Sequence, residues 1–112
     1  MANVIPTQIF PGYQFVAASG TVAADSIVIP LSALSGLTSS EANATTGNGS
    51  EVVRNIIDAA TTNVNALATE AKPTQMTLAK GTPTKVGSND RQPYTVTFVL
   101  TPTGYEMATE PA

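Results

Sequence analysis

The side chains that could carry chemistry in this chain are few. Its eight acids are Asp25, Glu41, Glu51, Asp58, Glu70, Asp90, Glu106 and Glu110, set against five Lys and Arg, with neither histidine nor cysteine. Without His or Cys there is no Ser-His-Asp or Cys-His nucleophile, no thiolate, no disulfide and no zinc site built on those ligands. What stays available is acid–base work by two carboxylates, or by Lys or Tyr. The acids are spread singly along the chain. Glu51 and Asp58 would share a helical face, but at a rise of ~1.5 Å per residue they stand too far apart to act on one bond. Carboxylates are mostly solvated groups, caps or ion-pair partners. The expectation is therefore a non-enzymatic chain with no catalytic residue, no cofactor and no metal.

Weaker signals point the same way. Ser88-Asn89-Asp90 looks like a fragment of a calcium loop but lacks the alternating acids and the closing Glu. Gly47-Asn48-Gly49 ahead of a helix could cradle an anion. It has no Gly-Lys-Ser or Gly-Lys-Thr, so a capped helix start is the expectation. Asn43-Ala44-Thr45 and Asn48-Gly49-Ser50 fit the glycosylation sequon, which a loop of Asn, Thr, Gly and Ser produces by chance. Lys80, Lys85 and Arg91 suit either an acidic partner or, more simply, the guarding of a strand edge.

The 112 residues amount to one domain, with 5% aromatic residues and no Trp, so the core must be small and built from Val, Ile and Leu. Charged residues make up 12% and the net charge is −3, against ~25% charged in an average domain. Such a surface suits a protein packed against neighbours. Its scattered cations argue against nucleic acid, whose phosphates need clustered positive charge. No apolar run approaches the ~18 residues of a membrane span, and the N-terminus lacks the basic start and apolar core of a secretory signal. The expectation is a soluble protein made in the cytoplasm without export, with no membrane partner.

The element that organises the rest is Ser50–Thr69. Val53, Ile56, Ile57, Ala60, Val64 and Leu67 recur every three or four residues and form one apolar stripe on a helix, opposite Arg54, Asn55, Asp58, Thr61, Thr62 and Asn65. Asn48 or Ser50 supplies the N-cap, Glu51 suits the first turn, and Pro73 closes the segment. Downstream, Thr74–Lys80 and Tyr94–Thr101 alternate as half-buried strands do. They flank a hairpin loop longer than the usual two to five residues, Pro83–Gln92, and Tyr94, Val96, Phe98 and Leu100 form the expected platform for the helix stripe. Ser26–Pro30 is a short strand candidate that could join this sheet. Between it and the helix, Leu31, Leu34 and Leu37 could tuck inward on one helical turn, and Thr38-Ser39-Ser40-Glu41 has the capping-box pattern. The fold class is α+β: one amphipathic helix packed on a small antiparallel sheet, with extended N- and C-terminal arms. The divisions are an arm over residues 1–25, a domain over 26–102 and a tail over 103–112.

The arm carries the most informative residues. Pro6 and Pro11 oppose a helix there, Pro11-Gly12 marks a turn, and Ile9, Phe10, Tyr13 and Phe15 crowd four large apolar side chains into seven positions. These four, with Tyr105 and Met107 in the tail, are the candidate partner interface. Two readings stay open for the arm: it lies across a neighbouring subunit, or it folds back to complete its own core.

Ile29-Pro30-Leu31-Ser32-Ala33-Leu34-Ser35-Gly36-Leu37-Thr38, continuing into Glu41–Asn48 and the amphipathic helix, resembles small proteins encoded by tailed phages of marine cyanobacteria. The resemblance covers the middle third of the chain. It implies a virion structural protein, one that decorates or cements a capsid, bound to the major capsid protein or other virion subunits and making homo-oligomeric contacts. No catalytic residue is implied. The alternatives are a binding module that recognises an external ligand or host surface through Pro83–Gln92, and a neck or tail component.

Overall fold

The computed structural model describes residues 4–99. In chain order its elements are α1 (Pro6–Ile9), β1 (Gln14–Val16), β2 (Ser26–Val28), α2 (Gly49–Asn65), β3 (Met76–Lys80), β4 (Thr84–Val86), β5 (Asn89–Arg91) and β6 (Tyr94–Phe98), with single 3-10 turns at Leu31–Ala33 and Thr69–Ala71. One main helix with small antiparallel sheets makes an α+β domain.

Asn48 decides where α2 begins. Its backbone is extended and its side chain accepts the Glu51 N–H at 3.2 Å, the N-cap bond that satisfies one of the helix's orphan donors. The approach is set by a loop that satisfies its own polar groups. Thr38 and Glu41 exchange side-chain-to-backbone bonds, Thr38 N–H to Glu41 Oε1 at 3.0 Å and Glu41 N–H to Thr38 Oγ1 at 3.2 Å, as the capping-box pattern predicts. Asn43 Oδ1 accepts the N–H groups of Thr45 and Thr46. Gly47 lies so close to the carbonyls of Glu41 and Asn43 that a Cβ would overlap both. The helix stops at Asn65, short of Thr69. The Asn65 amide reaches across to Leu78 O at 2.9 Å, and the chain tightens with Leu67 N–H on Val64 O; Asn is a residue whose side chain competes with continued helix.

The stripe of α2 is rotated from the one the periodicity predicts. Val64 is buried, but Val53 is 57% exposed while Asn55 and Thr61 are buried at 5% each. The helix is covered from two directions. Leu34 and Leu37 are buried and bring Gly36 against Asn55, while β3 packs along another face with Leu78 buried. Asn55 survives burial by donating to Glu51 O at 2.8 Å, and Thr61 by donating to Ile57 O at 2.8 Å. A buried polar group that is bonded costs little. The 3-10 turn at Leu31–Ala33 places Leu34 and Leu37 inward as expected, and leaves Leu31 exposed.

β3 and β6 pair antiparallel, Met76 with Phe98 through Lys80 with Tyr94. The expected platform is displaced. The helix lies mainly against β3, so Leu78 takes the role assigned to β6, while Val96 is 37% and Phe98 61% exposed. Leu100 lies outside the described residues. Ser26–Val28 does not extend this sheet; it pairs with Gln14–Val16 instead, so the boundary set at Asp25 falls within a hairpin. Pro83–Gln92, expected as one long hairpin loop, holds two further strands. β4 and β5 form a ribbon closed by Gly87-Ser88, with Gly87 at φ 63° and Ser88 not in that region, the type II′ arrangement that a Gly-first pair favours. Gly81 N–H on Pro93 O at 2.9 Å, and the Gln92 amide on both Gly81 O and Pro93 O, join ribbon and sheet into one long hairpin.

The arm is not extended throughout. Pro6 opens one helical turn because it occupies the first helical position, where a missing N–H costs nothing. Phe10-Pro11-Gly12-Tyr13 then makes a type II turn, with Gly12 at φ 84° and Tyr13 N–H on Phe10 O at 3.0 Å. This first half rests on the domain: α1 contacts α2, and Asn63 Nδ2 donates to Ile9 O at 2.6 Å.

Candidate functional site

The residues expected to form a partner interface separate into two groups. Ile9, Phe10 and Tyr13 are half-buried in the turn that rests on the domain. Phe15 lies on β1, is 64% exposed, and stands directly across from Ile27 of β2, itself 60% exposed. Opposed residues on antiparallel strands share a face, so Phe15 and Ile27 make one uncovered apolar pair, with Val28 also exposed at 43%. The connection between the strands is fixed by Ala18 N–H on Asp25 Oδ1 at 2.8 Å and Ser19 N–H on Val22 O at 2.6 Å. The half-buried turn thus anchors the hairpin, and the hairpin presents the pair. Tyr105 and Met107 lie outside the described residues.

The acids among the described residues do structural work or sit in solvent. Asp25 and Glu41 hold loops as described above. Glu51 and Arg54 form a two-point ion pair, Arg54 Nη2 on Glu51 Oε1 at 2.8 Å and Nε on Oε2 at 3.2 Å. The hydrogen bond from Arg54 holds the Glu51 carboxyl below the usual range, and the same bond raises the guanidinium. Asp58 Oδ1 accepts the Tyr94 phenol at 2.7 Å and Lys80 Nζ at 3.2 Å, while Lys80 Nζ lies 6.0 Å from the Tyr94 ring centre. The phenol, more than the lysine, lowers the Asp58 carboxyl against the opposing effect of burial. Burial, reinforced by the bond to Asp58, raises the Tyr94 phenol. Both groups are thus moved away from neutrality, the Asp58 carboxyl downward and the Tyr94 phenol upward, whereas an efficient general acid or base has a pKa near the operating pH. Asp90 pairs with Lys85 at 3.6 Å on the ribbon, which is where the superficial calcium motif lies. Among the described residues no three His, Cys, Asp or Glu side chains cluster.

Two open grooves flank Val53 at the start of α2. One, of about 480 Å³, is lined by Gly49, Ser50, Val53, Arg54, Gln92 and Tyr94; the other, of about 430 Å³, lies on the side of Glu41, Asn43 and Val52. Most of the residues lining the first are polar, but Arg54 is already paired with Glu51, Tyr94 with Asp58 and the Gln92 amide with backbone carbonyls.

Sequence reasoning missed Ile27, Val28 and Val53 as exposed surface. The β-branched run at Ser26–Pro30 was visible, but its partner strand was not. Comparison of the chain with protein-family models, with curated proteins and with solved structures returns no match.

Proposed function

We propose that this chain is a non-enzymatic structural subunit of a phage particle, binding neighbouring subunits through its N-terminal hairpin and stabilising the capsid. One observation carries the assembly reading. Among the described residues, four apolar side chains are buried, Leu34, Leu37, Val64 and Leu78, while ten large ones, among them Ile5, Phe15, Ile27, Val28, Val53, Val96 and Phe98, are exposed. Phe15 and Ile27 stand side by side across β1 and β2, and adjoining uncovered apolar side chains mark interaction surface. The particle itself is supplied by the likeness of Ile29–Asn48 to small cyanophage proteins. Phe15 and Ile27 act as the anchors, since large rigid side chains carry most interface energy. Ile9, Phe10 and Tyr13 hold the hairpin in place.

Removing the whole arm is a poor test, because Ile5–Tyr13 also packs on α2 and its loss would destabilise the domain. The test is Phe15→Ser with Ile27→Ser. The doubly substituted chain should fold normally and fail to enter particles, measured by mass analysis of purified particles. Normal incorporation would sink the proposal.

A second reading rests on β4–β5, every residue of which is exposed. A ribbon projecting in this way suits recognition of an external ligand or host surface. Substitutions at Lys85, Val86 and Asn89 that abolish host-surface binding while leaving particle entry intact would favour it.

A further inference from the structure

Among the described residues, nothing pairs with the outer edge of β6. Val99 N–H bonds Gln75 O at 2.7 Å and Gly81 N–H bonds Pro93 O at 2.9 Å, which fixes the phase of the β3–β6 ladder. Thr95 and Thr97 exchange backbone groups with β3, and Tyr94, Val96 and Phe98 direct theirs outward. At the opposite edge of the sheet Leu78 O is taken by the Asn65 amide at 2.9 Å. Among the described residues no side chain bonds the outward groups of β6. Natural sheets deter edge pairing with charges, prolines or bulges. Tyr94–Phe98 contains no charge and no proline, and its register runs without interruption.

We propose that β6 pairs antiparallel with β6 of a second copy of this chain, about a two-fold axis at Val96, to give a four-stranded sheet. The sequence of the strand is the reason for naming this occupant. Tyr94-Thr95-Val96-Thr97-Phe98 is palindromic in kind: aromatic, Thr, Val, Thr, aromatic. In the register where Val96 meets the partner's Val96, Tyr94 meets the partner's Phe98 and Thr95 meets the partner's Thr97. Aromatic–aromatic and Thr–Thr pairs are the favourable cross-strand combinations. A two-fold contact requires a self-complementary patch of this kind, and no like charges face each other across it.

The helices permit the arrangement. Strands lie ~4.8 Å apart, so the two copies of β3 stand three spacings, about 14 Å, from one another, wider than the ~8–10 Å of packed helices. Each α2 lies over its own β3, and the trough between them is floored by Val96 and Phe98, 37% and 61% exposed in the single chain. A two-stranded sheet is marginal and four strands are not. The contact is one five-residue strand edge and the trough beside it, a small patch next to the ~1,200 Å² at the lower end of stable interfaces, so the dimer is weak and concentration-dependent. It forms in solution and does not depend on the chain's belonging to a particle.

The test is sedimentation equilibrium of the full chain from ~10 μM to ~1 mM, bracketing a dissociation constant on the order of 100 μM. The mass should move from 11.5 kDa toward twice that value. Val96→Lys, which sets two ammonium groups face to face at the axis, should weaken association at least tenfold, with circular dichroism reporting its fold. Register is read by cross-linking, since the chain has no cysteine. Opposed Cα atoms in a bonded pair lie ~5.5 Å apart, within disulfide range. Val96→Cys should therefore form a disulfide dimer, Thr95→Cys alone should not, and Thr95→Cys combined with Thr97→Cys should. If Val96→Lys fails to fold, the cysteine variants carry the test. A monomeric mass at every concentration overturns the proposal. So does equal cross-linking of V96C and T95C, because only the register separates them.

Discussion

Replacing Phe15 by Ala separates a residue that serves its own fold from one that serves a neighbour. In the isolated chain Phe15 is 64% exposed and its direct cross-strand partner is Ile27. An aromatic–aliphatic cross-strand pair contributes roughly 0.2–1 kcal/mol, so Phe15→Ala should lower the unfolding free energy by less than about 1 kcal/mol. In a complex the exposed part is what becomes buried. A Phe side chain carries about 200 Å², of which the exposed share is about 130 Å², and at ~25 cal/mol per Å² covering it is worth about 3 kcal/mol. Ala keeps the Cβ, so the expected loss is about 2–3 kcal/mol, or about 30- to 150-fold in affinity.

Urea unfolding of the isolated chain and a binding titration against assembled particles measure the two quantities separately. A stability loss above about 2 kcal/mol, in the range of core Phe truncations, would mean that Phe15 completes its own core, refuting the account of the hairpin. An unchanged affinity would refute it from the other side.

Three further outcomes follow from the geometry of α2. Asn48→Ala removes the bond that Glu51 N–H makes to the cap and should cost about 1 kcal/mol; an unchanged urea midpoint would show that Ser50 takes over the cap. Gly36→Ala should destabilise by about 1–3 kcal/mol, because its Cβ would overlap Asn55 Oδ1 while that amide is held by Glu51 O, an overpacked site. A neutral or stabilising result would show that the Leu34–Leu37 segment can lift off the helix. Tyr94→Phe removes the 2.7 Å bond to Asp58. Bonds to charged groups are worth about 1.5–3 kcal/mol, and water can replace the phenol at a carboxylate whose side chain is 33% exposed, so about 1 kcal/mol is expected at neutral pH. Asp58 is held below its ordinary value, so its contribution is present above the ~3.9 of an unfolded aspartate and is lost as pH falls through the lower folded value. The penalty of Tyr94→Phe should accordingly fade on acidification, and a penalty independent of pH would separate Asp58 from it.

Much of the fold was legible in local chemistry. The cap at Asn48, the capping box at Thr38 and Glu41, the Pro11-Gly12 turn and the alternation of Met76–Lys80 and Tyr94–Phe98 each depend on neighbours in sequence, and each is formed. The Gly87-Ser88 hairpin turn was equally local and was passed over because the segment between two prolines resembled a loop. What could not be read was which face of α2 meets which partner. Periodicity ranks faces by polarity, and it placed Asn55 and Thr61 outward. Their burial depends on bonds to Glu51 O and Ile57 O, one turn back along the same helix, and on Gly36 arriving from a segment without regular structure. Likewise the Asp58–Tyr94 contact joins residues 36 apart in sequence, and nothing in either neighbourhood announces it.

The candidate surface follows from a shortage rather than from a motif. A core of Leu34, Leu37, Val64 and Leu78 is small for α2 together with three two-stranded ribbons, and two-stranded ribbons are marginal alone. The chain nevertheless places Phe15, Ile27 and Phe98 on exposed faces, each 60% or more uncovered, where they add little to that core. In a freely diffusing monomer such placements are liabilities, normally countered by surface charge. Here charge is scarce, and the Lys, Arg, Asp and Glu that do occur in the ribbons and helix are largely engaged with one another at Arg54–Glu51, Lys80–Asp58 and Lys85–Asp90, leaving the apolar edges undefended. On the proposed reading, a sequence that neutralises its charges internally and leaves its apolar strands uncovered has its stability completed by what it binds. Its folding free energy alone should therefore be modest, and it should rise with protein concentration or partner as mass action requires.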